Sequence, residues 1–387
     1  MKKKEILQEI KKLKSLSGTH SPSIDSIIDS IPEINVKVDA CFLSNPFATE
    51  LFLDYLKKDL IDTGKLRDVL EYYPPQNRNV ASFISRFTGV NSDRIFVGNG
   101  AIEIIQAIVQ RFVKGNICVI LPTFSSYYEF LTDEVKPVYY TLKKENKFVL
   151  DVDDYLKFVK ESNVSSIVLI NPNNPNGGYI NKNDLLFILN ELKHLDNIIL
   201  DESFIHFAYE DLDLENMSLS SMLEDYKNVI IIKSMSKDFG IAGIRCGYAI
   251  MREDYVSALL ENGYLWNVSG LANYFFKLYS NENFQKQYEV VRKKYIMNTM
   301  MLISQLSEIP NLIVYPSKAN FVLIELPGST NSFDFSMELL LDYNIYVRDC
   351  SDKIGLEGQF IRVASRTFEE NLEIINALKN MINRYNG

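Results

Sequence analysis

The chain has 387 residues, 47% hydrophobic and 12% aromatic, which describes a packed globular protein and excludes a disordered one. That length exceeds one small core, so one large two-part unit or two to three domains are expected. A net charge of −9 argues against nucleic acid or an anionic membrane surface as partner.

Residues 1–17 start basic, but charges interrupt every third or fourth position. The pattern predicts an amphipathic helix lying on the protein's own surface, not a secretion signal. No run reaches the roughly 20 apolar residues of a membrane span. Gly18 to Ser23 is a turn-rich break containing His20. Asn45-Pro46 precedes a helix over 49–60, and Tyr72-Tyr73-Pro74-Pro75 is a rigid extended joint. A helix over 79–88 closes at Gly89. Ile95 to Glu103 then reads as a strand, two glycines and a helix start, and exposed amides at such a start suit an anion.

Apolar strands are expected at 117–121, 164–170, 197–200 and 229–232, with helical segments between them. They end in Pro122-Thr123-Phe124, in Asn171 to Gly178, in Asp201-Glu202-Ser203-Phe204 and at Ser234. Buried strands alternating with helices predict an α/β fold, a mostly parallel sheet covered by helices. Ligands bind at the carboxyl ends of such strands, where the polar residues lie here. Beyond 265 come a helix over 284–306, strands at 320–325, 345–348 and 360–364, and helices over 333–341 and 369–385. That predicts a smaller α/β domain. The expected division is a segment 1–45 joining the small domain, a large domain 46–265 and a small domain 266–387.

Cys41, Cys118, Cys246 and Cys350 form no C-x-x-C pair, which reads as a reducing cytoplasm without disulfides. None of His20, His194 and His206 has metal-ligand spacing, so no metal is expected.

The stretch Ser234-Met235-Ser236-Lys237-Asp238-Phe239-Gly240-Ile241-Ala242-Gly243-Ile244-Arg245-Cys246-Gly247-Tyr248 follows the last apolar strand of the large domain. A lysine amine becomes nucleophilic when burial or nearby cations lower its pKa, and hydroxyls with an arginine fork suit a phosphate. One reading makes Lys237 a Schiff-base lysine, with Ser234, Ser236 and Arg245 on a cofactor phosphate. The plain alternative is a polar loop with a surface lysine.

This stretch resembles the S-x-S-K…G-x-A-G-x-R-x-G-Y signature of the fold type I pyridoxal-phosphate enzymes, the aminotransferase class I/II family. The resemblance runs from about residue 38 to the end. It implies pyridoxal 5'-phosphate as cofactor and a large sheet domain that binds it. It implies that Asp201 pairs with the pyridine nitrogen, that Asn174 donates to the phenolic oxygen and that Phe124 stacks on the ring. It also implies that the backbone of Gly100, Ala101 and Ile102 helps hold the phosphate. Tyr73 resembles the tyrosine that reaches the partner's phosphate, which implies a homodimer. Arg362, in Phe-Ile-Arg-Val-Ala, matches the arginine that grips a substrate carboxylate. Its apolar neighbours lean functional even unaided, because buried arginines are rare unless paired. Arg348 and Arg366 are further cations near the same end.

Within the family, Asp201-Glu202-Ser203-Phe204 is similar to the D-E-A-F of threonine-phosphate decarboxylases, whereas histidinol-phosphate aminotransferases have D-E-A-Y. Phe204 therefore lacks the hydroxyl that would reach the phenolic oxygen. Val314 to Phe321, Val347 to Arg366 and Trp266-Asn267-Val268-Ser269 resemble decarboxylase segments too. His20 is retained for a substrate phosphate, but Ser21-Pro22-Ser23 replaces that family's G-G-N, which leaves phosphoserine and phosphothreonine equally open. The resemblance implies decarboxylation of an O-phospho-amino acid, with transamination of a small phosphorylated amine or ketone as the alternative. The two differ by a rotation about one bond. A non-catalytic module of the same fold is a third reading, and the presence of Lys237, Asp201, Asn174 and Arg245 speaks against it.

Overall fold

The computed structural model describes residues 3–261, 263–328 and 330–386, so Met1 and Lys2 of the expected N-terminal helix lie outside the described residues. The chain divides into two compact units, one of residues 44–174 and 178–295, the other of 1–43, 175–177 and 296–387.

The larger unit is built on seven strands in the spatial order Ile95–Gly98, Gly247–Ile250, Val229–Ser234, Asn197–Asp201, Ser166–Ile170, Asn116–Leu121 and Lys136–Thr141. Gly247–Ile250 runs antiparallel to both neighbours, and the other pairings are parallel. Strands Ser166–Ile170, Asn197–Asp201 and Val229–Ser234 are buried along their whole length. Coverage on both faces explains their continuous Ile/Val/Leu runs. Ile104, Ile105 and Ile108 of helix Ala101–Phe112 join Val119, Val168, Ile199 and Ile230 in one apolar core.

From Asn116–Leu121 the chain goes to the edge strand Lys136–Thr141 and then returns to Ser166–Ile170 on the other side. This reversal is the switch point at which open α/β sheets leave a crevice beyond the strand ends. The mostly parallel sheet matches the expectation. Lys136–Thr141 was not anticipated. Its first five residues alternate little between apolar and polar, it contains Pro137, and it lies mainly open to solvent, as edge strands tolerate.

The smaller unit has five strands in the order Val38–Ala40, Ile345–Asp349, Phe360–Ala364, Phe321–Glu325 and Ile313–Val314. The first pair is parallel and the rest antiparallel. Ile374, Leu378, Met381 and Ile382 of helix Phe368–Asn386 pack on Val322, Ile324, Val347 and Ile361. Ile10 of helix Lys3–Leu16 shares a second core with Ile27, Ile31, Met337, Leu340 and Tyr346. The N-terminal helix is thus amphipathic because it covers its own unit. Among the described residues no helix is long and apolar enough to cross a membrane, and no cluster of His, Cys, Asp and Glu is placed to hold a metal.

Candidate active site

Strand Val229–Ser234 delivers the lysine turn, which is clamped from a distant part of the sequence. Asn45 caps helix Pro46–Leu56 with its side-chain oxygen, while its backbone N–H donates to the Lys237 carbonyl at 2.9 Å and its side-chain amide donates to the Asp238 carbonyl at 3.2 Å. The Thr49 hydroxyl donates to the Gly240 carbonyl at 2.8 Å. Gly240 has φ +63°, and a Cβ there would lie 2.3 Å from the Asn45 carbonyl oxygen, so the close approach requires glycine. The Ser236 N–H donates to Ser234 Oγ at 3.3 Å. Lys237 itself is half-buried.

Beneath the turn, the fully buried Asp238 holds Lys233 Nζ at 2.9 Å and His206 Nδ1 at 2.8 Å, both on Oδ2. Burial alone would push the Asp238 carboxyl up, but Lys233 and His206 bring it below the usual range. Burial lowers His206, assisted by Lys233 and opposed by Asp238. Lys233 Nζ also donates to the Glu202 carbonyl at 3.1 Å. Two lysines four residues apart therefore differ in environment, since Lys233 is committed to a buried ion pair.

The turn between strand Ile95–Gly98 and helix Ala101–Phe112 meets Arg245. Gly100 has φ +87° and provides no side-chain cap for the helix. A Cβ on Gly100 would lie 2.5 Å from Arg245 Nη2, so the guanidinium occupies the space a side chain would take. Arg245 donates to the Ala242 carbonyl at 3.0 Å and to the Asn99 carbonyl at 3.4 Å. Gly247 pairs with Ser234, and a Cβ there would lie 3.1 Å from the Ala101 nitrogen. Ser234, Gly100, Ala101 and Arg245 are thereby brought together, with Ile102 in the first helical turn. Uncapped helix amides, hydroxyls and a guanidinium form a donor set that fits a phosphate.

Asp201 ends strand Asn197–Asp201 and is buried. Its Oδ1 accepts from the Ser203 N–H and its Oδ2 from the Tyr127 hydroxyl, both at 2.8 Å. Burial raises its pKa, while the Ser203 and Tyr127 hydrogen bonds and the charge of Lys233 oppose the rise. Tyr127 is fully buried, and burial with Asp201 beside it pushes its own pKa well above 10, so it remains a donor. Sequence reasoning missed Tyr127. Its signal was three positions past Phe124, on the helical turn Ser126–Glu129.

Asn174 is buried and Phe124 packs at the margin of the sheet core. Asn173 ties the two strand-end loops by donating from Nδ2 to the Pro122 carbonyl at 2.9 Å. Phe204 is buried as well. Tyr73 stands apart on the surface, 81% exposed, with its ring 5.2 Å from that of Trp266.

In the smaller unit, Arg348 and Arg362 are opposite one another on paired strands. Arg362 donates to the Cys41 carbonyl at 2.8 Å and lies over the Phe321 ring. Burial is the main influence lowering its pKa. Arg348 donates to the Thr19 carbonyl at 2.7 Å and to both oxygens of Asp352 at 2.6 and 2.9 Å. His20, next to Thr19, is exposed. Arg366 is held by Glu370 at 3.6 Å.

A family model described as "Aminotransferase class I and II" matches residues 45–378. The chain is 55% identical to an L-serine phosphate decarboxylase of Campylobacter jejuni, over 97% of this chain and 96% of that protein. It is 45% identical to an L-serine phosphate decarboxylase of Sulfurospirillum multivorans, over 96% and 94%. A solved structure of a decarboxylase from Sulfurospirillum multivorans superposes with a TM-score of 0.94 at 44% identity, covering 98% of this chain and 96% of that one.

Proposed function

Because the chain belongs to the aminotransferase class I and II family, we propose that it is a pyridoxal-phosphate-dependent carboxy-lyase that converts O-phospho-L-serine to carbon dioxide and the phosphorylated amine. The observation that carries this reading is the near-full-length likeness to two L-serine phosphate decarboxylases. It favours phosphoserine over phosphothreonine, which the sequence motifs left equal.

The residues of the larger unit suit the cofactor. Ser234, Ser236, Arg245 and the backbone of Gly100, Ala101 and Ile102 would hold its phosphate. Asp201 would pair with the ring nitrogen, Asn174 with the ring oxygen, and Phe124 with the ring face. Lys237 would carry the covalent link. When bound, the cofactor supplies an electron sink for the pair left at Cα when a bond to that carbon breaks.

The chain's own residues do the rest. The Ser203 and Tyr127 hydrogen bonds favour the ionised form of Asp201, which a buried carboxyl would otherwise lose. Asn45, Thr49 and the buried Asp238 fix the backbone around Lys237, so its amine returns a proton from a set position. Arg362 holds the substrate carboxylate and thereby selects which bond to Cα breaks. Phe204 places no hydroxyl where the aminotransferases of the family carry tyrosine.

The active form is a homodimer in which Tyr73 serves the partner's site, and the protein works in the cytoplasm, consistent with four buried, unpaired cysteines. The test is to give the cofactor-loaded protein O-phospho-L-serine without any keto acid. Catalytic release of carbon dioxide and phosphorylated amine supports the reading. One equivalent of keto product without carbon dioxide would replace it with transamination.

A further inference from the structure

Lys353 sits in the loop that follows strand Ile345–Asp349, and its backbone N–H donates to the Cys350 carbonyl at 3.0 Å. Its side chain is folded inward, and the residue is only 8% exposed. The ammonium has one hydrogen bond, a long one of 3.4 Å to the Thr19 carbonyl, and among the described residues no carboxylate lies within ion-pair distance. Lysine is almost never buried in this way without a partner.

The surroundings make the situation more acute. Arg348 donates to the same Thr19 carbonyl and takes both oxygens of Asp352, so the nearest carboxylate is already engaged. The charge of Arg362 also acts on Lys353. Cys350 beside it does not neutralise the cluster, because burial pushes its thiol up to about 11 and leaves it uncharged near neutral pH. Cys41 is shifted in the same direction by the same cause. Residues 14–20 border the cluster, held there by the Lys14–Asp349 ion pair and by the doubly used Thr19 carbonyl.

We propose that Lys353, with Arg348, forms the subsite for the phosphate group of the substrate, and that Lys353 is the residue that makes the protein select a phosphate ester. The proposal rests on the reading of the substrate as O-phospho-L-serine. A phosphate dianion would supply the close counter-charge that Asp352, paired with Arg348, does not give Lys353, and it has oxygens enough for both cations. Burial, with Arg348 adding to it, lowers the Lys353 pKa to about 8, so the ammonium is still mainly charged at neutral pH and ready for an anion.

Lys353→Met keeps the apolar stem and deletes the charge. In the cofactor-loaded protein the KM for O-phospho-L-serine is expected to rise about 10- to 100-fold, with the loss in KM larger than any loss in kcat. The inhibition constant of inorganic phosphate, measured on the same protein, should rise in parallel, and Lys353→Arg should keep most of both. A Lys353 that merely supports the fold would leave phosphate inhibition unmoved, and values within about twofold of the unaltered protein overturn the proposal. The unaltered protein gives a second test. Phosphate inhibition should weaken as pH rises through about 8, where phosphate itself stays dianionic; a flat profile overturns the proposal. Arg348, Arg362, Asp352 and the thiol of Cys350 act on the same ammonium; arginine and aspartate titrate far from 8, and burial holds the Cys350 thiol up at about 11, so none of them imitates this titration. If the unaltered protein releases no carbon dioxide from O-phospho-L-serine, the decarboxylase reading falls, and titration calorimetry of inorganic phosphate into the cofactor-loaded unaltered and Lys353→Met proteins then decides the role of Lys353, equal dissociation constants overturning the proposal.

Discussion

Tyr127→Phe tests whether the chain controls the charge of Asp201. The substitution removes one oxygen and keeps the ring that fills the core. In the structure the lost group is a hydroxyl 2.8 Å from Asp201 Oδ2, with both residues buried, so water does not readily replace it. A hydrogen bond to a charged group contributes about 1.5–3 kcal/mol, which corresponds to about 1–2 pKa units. The sign follows from the environment. Burial already places the Asp201 pKa above its ordinary value, and the Tyr127 and Ser203 hydrogen bonds pull it back down. Loss of one donor moves it further up, so the ionised form is given up at higher pH. The cofactor dissociation constant, followed against pH, should show its acid limb displaced upward by about 1–2 units, with affinity reduced most on the acid side. The pH profile of kcat/KM should shift in the same direction, while far-ultraviolet circular dichroism stays unchanged. Coincident acid limbs in the variant and the unaltered protein would refute the argument, because they would mean that the Tyr127 hydroxyl does not hold the carboxylate.

Four further outcomes follow from the structure. Lys237→Ala should reduce turnover below detection while thermal unfolding shows an intact fold, and retained activity would remove Lys237 from the chemistry. Gly100→Ala puts a side chain 2.5 Å from Arg245 Nη2 at φ +87°, with backbone strain of about 1–3 kcal/mol, so the melting temperature and cofactor retention in dialysis should both fall, and unchanged retention would separate Gly100 from the cofactor phosphate. Asp238→Asn leaves Lys233 buried without its counter-charge and should lower stability by about 3–5 kcal/mol in urea unfolding, whereas Lys233→Met with Asp238→Leu should recover much of the loss. The acid side of the stability curve involves two groups. His206, lowered by burial, stays neutral in the fold while the unfolded chain takes a proton, so stability falls as pH drops below about 6.5. Asp238, lowered overall, adds a second loss as pH falls below about 3.8 toward its folded-state pKa.

What could be read from the chain, and what could not, divides along physical lines. The mostly parallel sheet was legible because strands buried on both faces must be continuously apolar, as Val229 to Ile232 and Ile167 to Ile170 are. Candidate cofactor-side residues could be proposed where a short segment carries its own chemistry, as in the lysine turn or Asp201-Glu202. Groups that act across long sequence separations were not legible. Asn45 and Thr49 clamp a turn some 190 positions away, Tyr127 reaches Asp201 over 74 positions, and Lys353 meets Thr19 over 334. None of these residues is unusual in its local setting, so only the fold reveals them. The two lysines of Lys233-Ser234-Met235-Ser236-Lys237 show the limit most clearly. By residue type they are equivalent, and only the resemblance of Ser234-Met235-Ser236-Lys237 to the family signature points to the second; the sequence does not say what occupies the first. Strand geometry separates them, because Lys233 lies within the buried ladder opposite Tyr248 and must find a counter-charge there, which Asp238 supplies. Lys237 lies three residues beyond the strand, in a turn whose backbone is held from outside by Asn45 and Thr49. The buried ion pair thus accounts for the first lysine, and a protein that lost Asp238 is expected to lose the set position of the Lys237 backbone.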